Sequence, residues 1–324
     1  MKHLFYKVLG VVAGLFAMGF AASAQTKELV HDFSEFRSLD VASSFEVTLS
    51  KGEYGVKILV DAPLAPYVQT YVKGKSLYIT LDQKSLPADI KKMYKGRKAP
   101  APVMRAMVYT PELEAVTLSG SASLTATDDY DMQNFELSLS DAAKVKVLRV
   151  NTNVAEVKLR KKSSASLGIN ATGEISLTTE GSSSLNITGG AHDLRTSSSG
   201  SSGISFSGEV ENNLDVNSGG SSQVGVVASP LNVKVNMANS SRVNLSGSAE
   251  TLEVKGANSA FLDASGMPFV DVTAELSSCK AAVTLDGKLK VTLVGGGELF
   301  YNGTPEFVID KIIRSTLAPM SAMR

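Results

Sequence analysis

Disulfide bonding is closed to this 324-residue chain, because Cys279 is its only cysteine. Tryptophan is absent and aromatic residues make up 6% of the sequence, so any core must be filled by aliphatic side chains. There are three histidines; His31 and His192 stand far apart and neither has a companion at metal-ligand spacing, so no metal or other cofactor is expected. Charge of a dominant sign is also missing. Lys and Arg number 32 and Asp and Glu number 32, which gives no overall electrostatic reason to bind nucleic acid. No stretch of helical length carries a 3.6-residue apolar period, and Gly, Ser, Thr and Asn are dense throughout, which argues against a helical-repeat solenoid.

What is present is a short phrase that recurs through residues 111–305. An aliphatic couplet is followed by a small-residue turn and then by another couplet. Leu185-Asn186-Ile187, Ile204-Ser205-Phe206, Val243-Asn244-Leu245 and Val283-Thr284-Leu285 are four copies, spaced at about 20 residues or multiples of it. Alternation puts the aliphatic residues on one face and Asp, Asn, Lys and Thr on the other. One such unit cannot enclose its apolar face, but units stacked in parallel bury it continuously and pair their backbone groups with neighbours. The expected fold is therefore all-β, a parallel β-helix solenoid. Small residues recur between the couplets, among them Ser119-Gly120-Ser121, Gly181-Ser182-Ser183, Gly200-Ser201-Ser202 and Asn239-Ser240-Ser241. Gly and Asn tolerate positive φ and Ser hydroxyls bond nearby backbone, so this column marks a corner repeated at every level.

The flanks differ from the repeat. Residues 1–24 have a basic start at Lys2 and Lys7, an apolar run over 8–20 and Ala22-Ser23-Ala24, the pattern of a cleaved secretory signal peptide; the apolar run is short for a membrane anchor. Its removal would leave a mature chain of 30 basic and 32 acidic residues without a transmembrane span. The destination is then the periplasm, the outer membrane surface or the exterior. Residues 25–110 lack the Ser/Gly corner and carry longer alternating segments, expected to form a mostly antiparallel β-sheet unit that caps the solenoid; residues 64–72 read as a connection or short helical turn. Residues 306–324 are expected to supply a carboxy-terminal cap and tail.

Candidate chemistry is sparse. Residues 82–103 are the least patterned interval and hold Lys91, Lys92, Tyr94, Lys95 and Arg97, a solvated loop or a contact for an anionic glycan or protein partner. Lys144, Lys146, Arg149, Lys158, Arg160, Lys161 and Lys162 form a second basic set, and alternation could bring Lys158 and Arg160 beside Lys144 and Lys146 on the next turn, to bind an anion or to act as outward solvation. Asp128, Asp129 and Asp131 are the best acidic cluster, yet catalytic carboxylates must face one another across a groove, whereas these are adjacent in one segment. No catalytic residues are therefore assigned. Cys279 falls in the corner column and reads as a small structural residue.

Several segments together resemble a known family. Phe36-Arg37-Ser38-Leu39-Asp40-Val41 with Phe45-Glu46-Val47, the turn Leu118-Ser119-Gly120-Ser121-Ala122, and Gly295-Gly296-Gly297-Glu298-Leu299-Phe300-Tyr301-Asn302-Gly303-Thr304-Pro305 resemble the putative auto-transporter adhesin, head GIN domain family of exported bacterial proteins. The resemblance implies a right-handed β-helix and no catalytic residues. Ile312-Ile313-Arg314-Ser315-Thr316 departs from the family's Gly/Ser-rich closing turn. The expectation is a non-enzymatic envelope or surface protein that acts as an adhesin or binding scaffold for glycan or protein partners. A carbohydrate-active enzyme and a self-associating structural envelope protein are the alternatives.

Overall fold

The alternating aliphatic pattern becomes a stack of flattened coils. The computed structural model describes residues 25–322 apart from Ser34 and Lys98; the signal-peptide assignment lies outside the described residues. From Ala115 to Pro319, eleven coils follow one another, each with a strand on a first sheet, a tight corner, a strand on a second sheet and a return. Every strand in this region pairs in parallel with the equivalent strand one coil away. At about 4.8 Å per coil the eleven span roughly 50 Å.

In-register stacking produces unbroken inward columns. One runs on the first sheet through Leu77, Leu39, Val116, Leu137, Val157, Leu177, Thr196, Val216, Val235, Val254, Ala274, Val291 and Ile309. All but Ile309 are buried. Thr196 is the single polar member, and its Oγ1 has no hydrogen-bond partner among the described residues. On the second sheet Leu185, Ile204, Val224, Val243, Leu262 and Ala281 form a comparable column. Val283 belongs instead to the column of Ala264, so the last of the four copies is out of phase with the others by two residues.

The small-residue column is the corner it was expected to be. At seven successive levels one corner residue is left-handed: Gly120, Asp141, Lys161, Gly181, Gly200, Gly220 and Asn239 all have φ between 62 and 77°. The residue after each donates its N–H to a left-handed residue's carbonyl one coil away, as in Ser201 to Gly181 at 2.7 Å and Ser221 to Gly200 at 2.7 Å. A Cβ on Gly200 would lie 2.7 Å from the Gly181 carbonyl oxygen, so this level needs glycine for space as well as for φ. Two residues further on, Ser163, Ser183, Ser202, Ser222 and Ser241 turn inward and are buried. Ser202 Oγ contacts the Ser199 carbonyl at 2.7 Å and the Thr179 carbonyl at 3.1 Å, and Ser222 repeats this with Gly219 and Ser198. Each serine thus ties two carbonyls of the corner together, and the Thr179 and Ser198 carbonyls accept a backbone N–H as well.

The amino-terminal region is mixed rather than mostly antiparallel. Its strands are β1 (Thr26–His31), β2 (Ser38–Val41), β3 (Glu46–Ser50), β4 (Gly55–Asp61), β5 (Val68–Lys73), β6 (Ser76–Leu81) and β7 (Met104–Tyr109). The strands β2 and β3 are already a coil, parallel on one side to β6 and β7 and on the other to Ala115–Leu118 and Ser123–Asp131. Only β1, β4 and β5 pair antiparallel, at the outer end. Within residues 64–72 a 3₁₀ turn over Ala65–Tyr67 is present as expected, but strand β5 follows it directly; Leu77 and Ile79 of β6 hold the alternate residues of β5 against the core. At the other end, Glu306–Ile313 and Thr316–Pro319 add one more coil by parallel pairing with Lys288–Val294 and Glu298–Asn302.

Candidate basic contact site

The interval 82–103 replaces the tight corner of one coil and contains a short helix, α1 (Ala88–Met93). Leu86, Ile90 and Tyr94 recur every four residues, one face of a helical turn, and pack against the core. Tyr94 fixes the end of the helix: its hydroxyl donates to Asp61 Oδ2 at 3.0 Å, and the Val103 N–H donates to the same oxygen at 3.2 Å. Burial and the Asp61 carboxylate push the Tyr94 hydroxyl up to about 12, so it stays protonated as a donor. Asp61 is itself buried at the end of β4. Asp82 completes the anchor by accepting from Ser85 Oγ at 2.6 Å, which holds its carboxyl below the ordinary range.

That anchoring divides the candidates. Tyr94 serves the fold, whereas Lys91, Lys92, Lys95 and Arg97 are exposed, with Lys91 Nζ donating to the Lys84 carbonyl at 3.4 Å. None of these four bridges a carboxylate among the described residues. The four-residue spacing of Leu86, Ile90 and Tyr94 was the signal that could have identified the helix in the sequence. Asp61, which orients it, carries no such signal.

The second basic set does not assemble. Lys144 and Lys146 lie in the strand Lys144–Thr152 of the second sheet, while Lys158 lies in Val154–Leu159 of the first. The corner between the sheets separates them because a coil reverses direction there. Lys158 pairs with Glu156 at 2.6 Å, Arg160 with Glu180 at 3.3 Å, and Lys161 with Asp141. These three are neutralised along the flank, while Lys144, Lys146 and Lys162 make no ion pair among the described residues and do not converge with them.

The acidic cluster is likewise committed to structure. Asp128 accepts from the Lys51 N–H at 3.0 Å and from Thr127 Oγ1 at 2.8 Å, Asp129 pairs with Arg149 at 3.6 Å, and Asp131 accepts from Asn151 at 2.8 Å. These donors hold Asp128 and Asp131 below the ordinary carboxylate range, the opposite of what a general acid requires. His192 Nδ1 lies 3.0 Å from Glu211, which raises its pKa. Cys279 is buried, and burial pushes its thiol up to about 11, so the thiolate that a nucleophile needs is suppressed. Among the described residues no group of three or more His, Cys, Asp or Glu could hold a metal ion.

The flanks carry further polar arrays that the repeat alone did not reveal. Asp193, Asn213, Asn232 and Thr251 form a side-chain ladder with steps of 2.8, 3.4 and 2.9 Å. Beside it, a shallow groove of about 490 Å³ is lined by Ser197, Asn217, Asn236, Lys255 and Glu275.

The family described as "Putative auto-transporter adhesin, head GIN domain" matches residues 35–231 and 209–305, which together take in most of the chain. The chain belongs to this family. Solved structures similar to it include a putative adhesin from Parabacteroides distasonis at 14% identity, a putative lipid binding protein from the same species at 16%, and a putative adhesin from Bacteroides fragilis at 14%. The aligned regions cover 92, 91 and 93% of this chain and 98, 96 and 100% of those chains, with TM-scores of 0.37, 0.37 and 0.32. No curated protein matches the sequence. No helix among the described residues is long and apolar enough to cross a membrane.

Proposed function

We propose that this family member is an exported, non-enzymatic surface protein whose β-helix holds a basic contact site for an anionic partner, in the first instance an acidic glycan. The observation that carries this reading is the pairing state of the cations. Along the stack Lys158, Arg160 and Lys161 are each neutralised by a carboxylate and Lys144 and Lys146 stand unpaired on the other sheet, whereas Lys91, Lys92, Lys95 and Arg97 are unpaired among the described residues and gathered within seven residues, on α1 and the segment after it, anchored to the core by Tyr94. Unpaired cations held on a rigid support attract anions without the cost of first breaking an ion pair. The commitment of Asp128, Asp129 and Asp131 to hydrogen bonds and an ion pair favours binding over hydrolysis.

Titration with acidic and neutral polysaccharides at several salt concentrations tests this. Binding is expected for the acidic polymers, weakening as salt rises, and the double variant Lys91→Glu with Lys95→Glu should lower affinity by about tenfold or more. Equal binding of neutral and acidic polymers, or an unchanged affinity in that variant, would overturn the proposal. So would depolymerising activity that is lost in Asp129→Asn.

A further inference from the structure

The last coil leaves its inward side chains uncovered. Phe307, Ile309 and Ile312 continue the columns of Leu289, Val291 and Leu293, each of which is fully buried. They are nevertheless 42, 56 and 37% exposed, and the neighbouring Ile313 is 48% exposed. The strand Glu306–Ile313 pairs with Lys288–Val294 on one side, and among the described residues no strand pairs with its other edge. An apolar face and an open edge of eight residues therefore coincide, the combination that recruits another strand.

The geometry points to a second copy of this chain as the occupant, docked tail to tail about a two-fold axis. The reason lies in the bulge of this strand. The register passes from Val291 opposite Ile309 to Thr292 opposite Lys311, so Asp310 is the extra residue. In a regular strand residues three apart face opposite ways; here the bulge turns both Ile309 and Ile312 inward. An antiparallel pairing centred between Asp310 and Lys311 then sets Ile309 of one copy against Ile312 of the other. It also sets Asp310 of each against Lys311 of its mate, so apolar and charged positions both match themselves under the two-fold.

Head-to-tail growth is matched less well. On the second sheet the outer strand at the other end, β1, places Lys27, Leu29 and His31 in register with the inward Val60, Ile58 and Val56. Stacking in register would put Leu29 over Leu317, but it would also put His31 over Pro319, a polar ring against an apolar one. A coil end about 27 Å long with sheets about 10 Å apart has a footprint of roughly 270 Å² per copy, about 540 Å² for the two. An area of this size belongs to weak, reversible associations rather than permanent ones.

This inference does not depend on the basic contact site. Sedimentation equilibrium on protein expressed from the full sequence should show a monomer–dimer equilibrium across micromolar concentrations, with no larger species. Ile309→Lys should raise the dissociation constant by about tenfold or more, with circular dichroism confirming an intact fold. Asp310 also pairs with Lys290 of its own chain at 3.2 Å, so Asp310→Lys made together with Lys290→Asp should weaken the dimer by like-charge contact, and adding Lys311→Asp should restore it, because the exchanged pair is again self-complementary. A monomer at every concentration, open-ended filaments, a dimer indifferent to Ile309→Lys, or no restoration in the exchanged variant would each overturn the inference.

Discussion

The two ends of the stack solve the same problem differently. At the amino-terminal end, β1, β4 and β5 run antiparallel to their neighbours, a 3₁₀ turn and α1 fold over, and Leu64, Ala65, Leu86, Ile90 and Tyr94 pack against the inward face. At the carboxy-terminal end the parallel pattern simply stops, and Phe307, Ile309 and Ile312 remain partly open to solvent. The comparison teaches that a solenoid's repeat does not encode its closure. Identical inward positions are worth very different amounts depending on whether another layer lies above them.

The sharpest test of this contrast is a matched truncation at the two ends. Ile58, fully buried beneath β1, should cost about 2–5 kcal/mol on change to Ala. Ile309→Ala should cost much less, because most of its burial is missing, and chemical denaturation of both variants measures the gap. Equal losses would show that the open end is covered in solution. Next in size is a pair of corner glycines. In Gly200→Ala the new methyl must add the clash with the Gly181 carbonyl to the left-handed cost of about 1–2 kcal/mol. In Gly296→Ala, near the open end, φ is +91° and nothing lies within 4 Å, so only the conformational cost remains. Thermal melts should therefore place Gly200→Ala well below Gly296→Ala. The smallest effect belongs to the interior between the ends: Thr196→Val removes a buried hydroxyl without a partner and should stabilise by about 1 kcal/mol.

Much of the repeat was legible because two independent signals coincided. Alternating aliphatics such as Leu185 and Ile187 marked strands, and Gly181, Gly200 and Gly220 marked one left-handed corner per level. The order of the first coils was not legible. Nothing local to residues 38–50 says that their neighbours will be β6 and β7 below and residues 115–131 above, since parallel pairing between distant segments leaves no mark within either. The strand β5 escaped for a related reason: Pro66 and the short turn dominate its local composition, while its pairing with β6 is what makes it extended.

Legibility of the candidate site was also uneven. Lys91, Lys92, Lys95 and Arg97 were visible as a basic run, but whether a cation is free depends on carboxylates contributed by other coils. Arg160 looked equivalent to them in sequence and proved to be paired with Glu180 of the next coil, while Lys158 is paired with Glu156 of its own strand. Tyr94 looked like a ligand contact and proved to be held by Asp61, 33 residues away. Sequence spacing locates side chains along a strand, and charge balance across coils needs the register.

The placement of β2 and β3 between β6 and β7 on one side and residues 115–131 on the other constrains the order in which the chain can assemble. A polypeptide emerging from its amino terminus cannot give residues 38–50 both of their neighbours until residue 131 has appeared. Some eighty residues must therefore wait, half-sheltered, before layer-by-layer growth can begin, and any holding factor that meets the nascent molecule should meet it there.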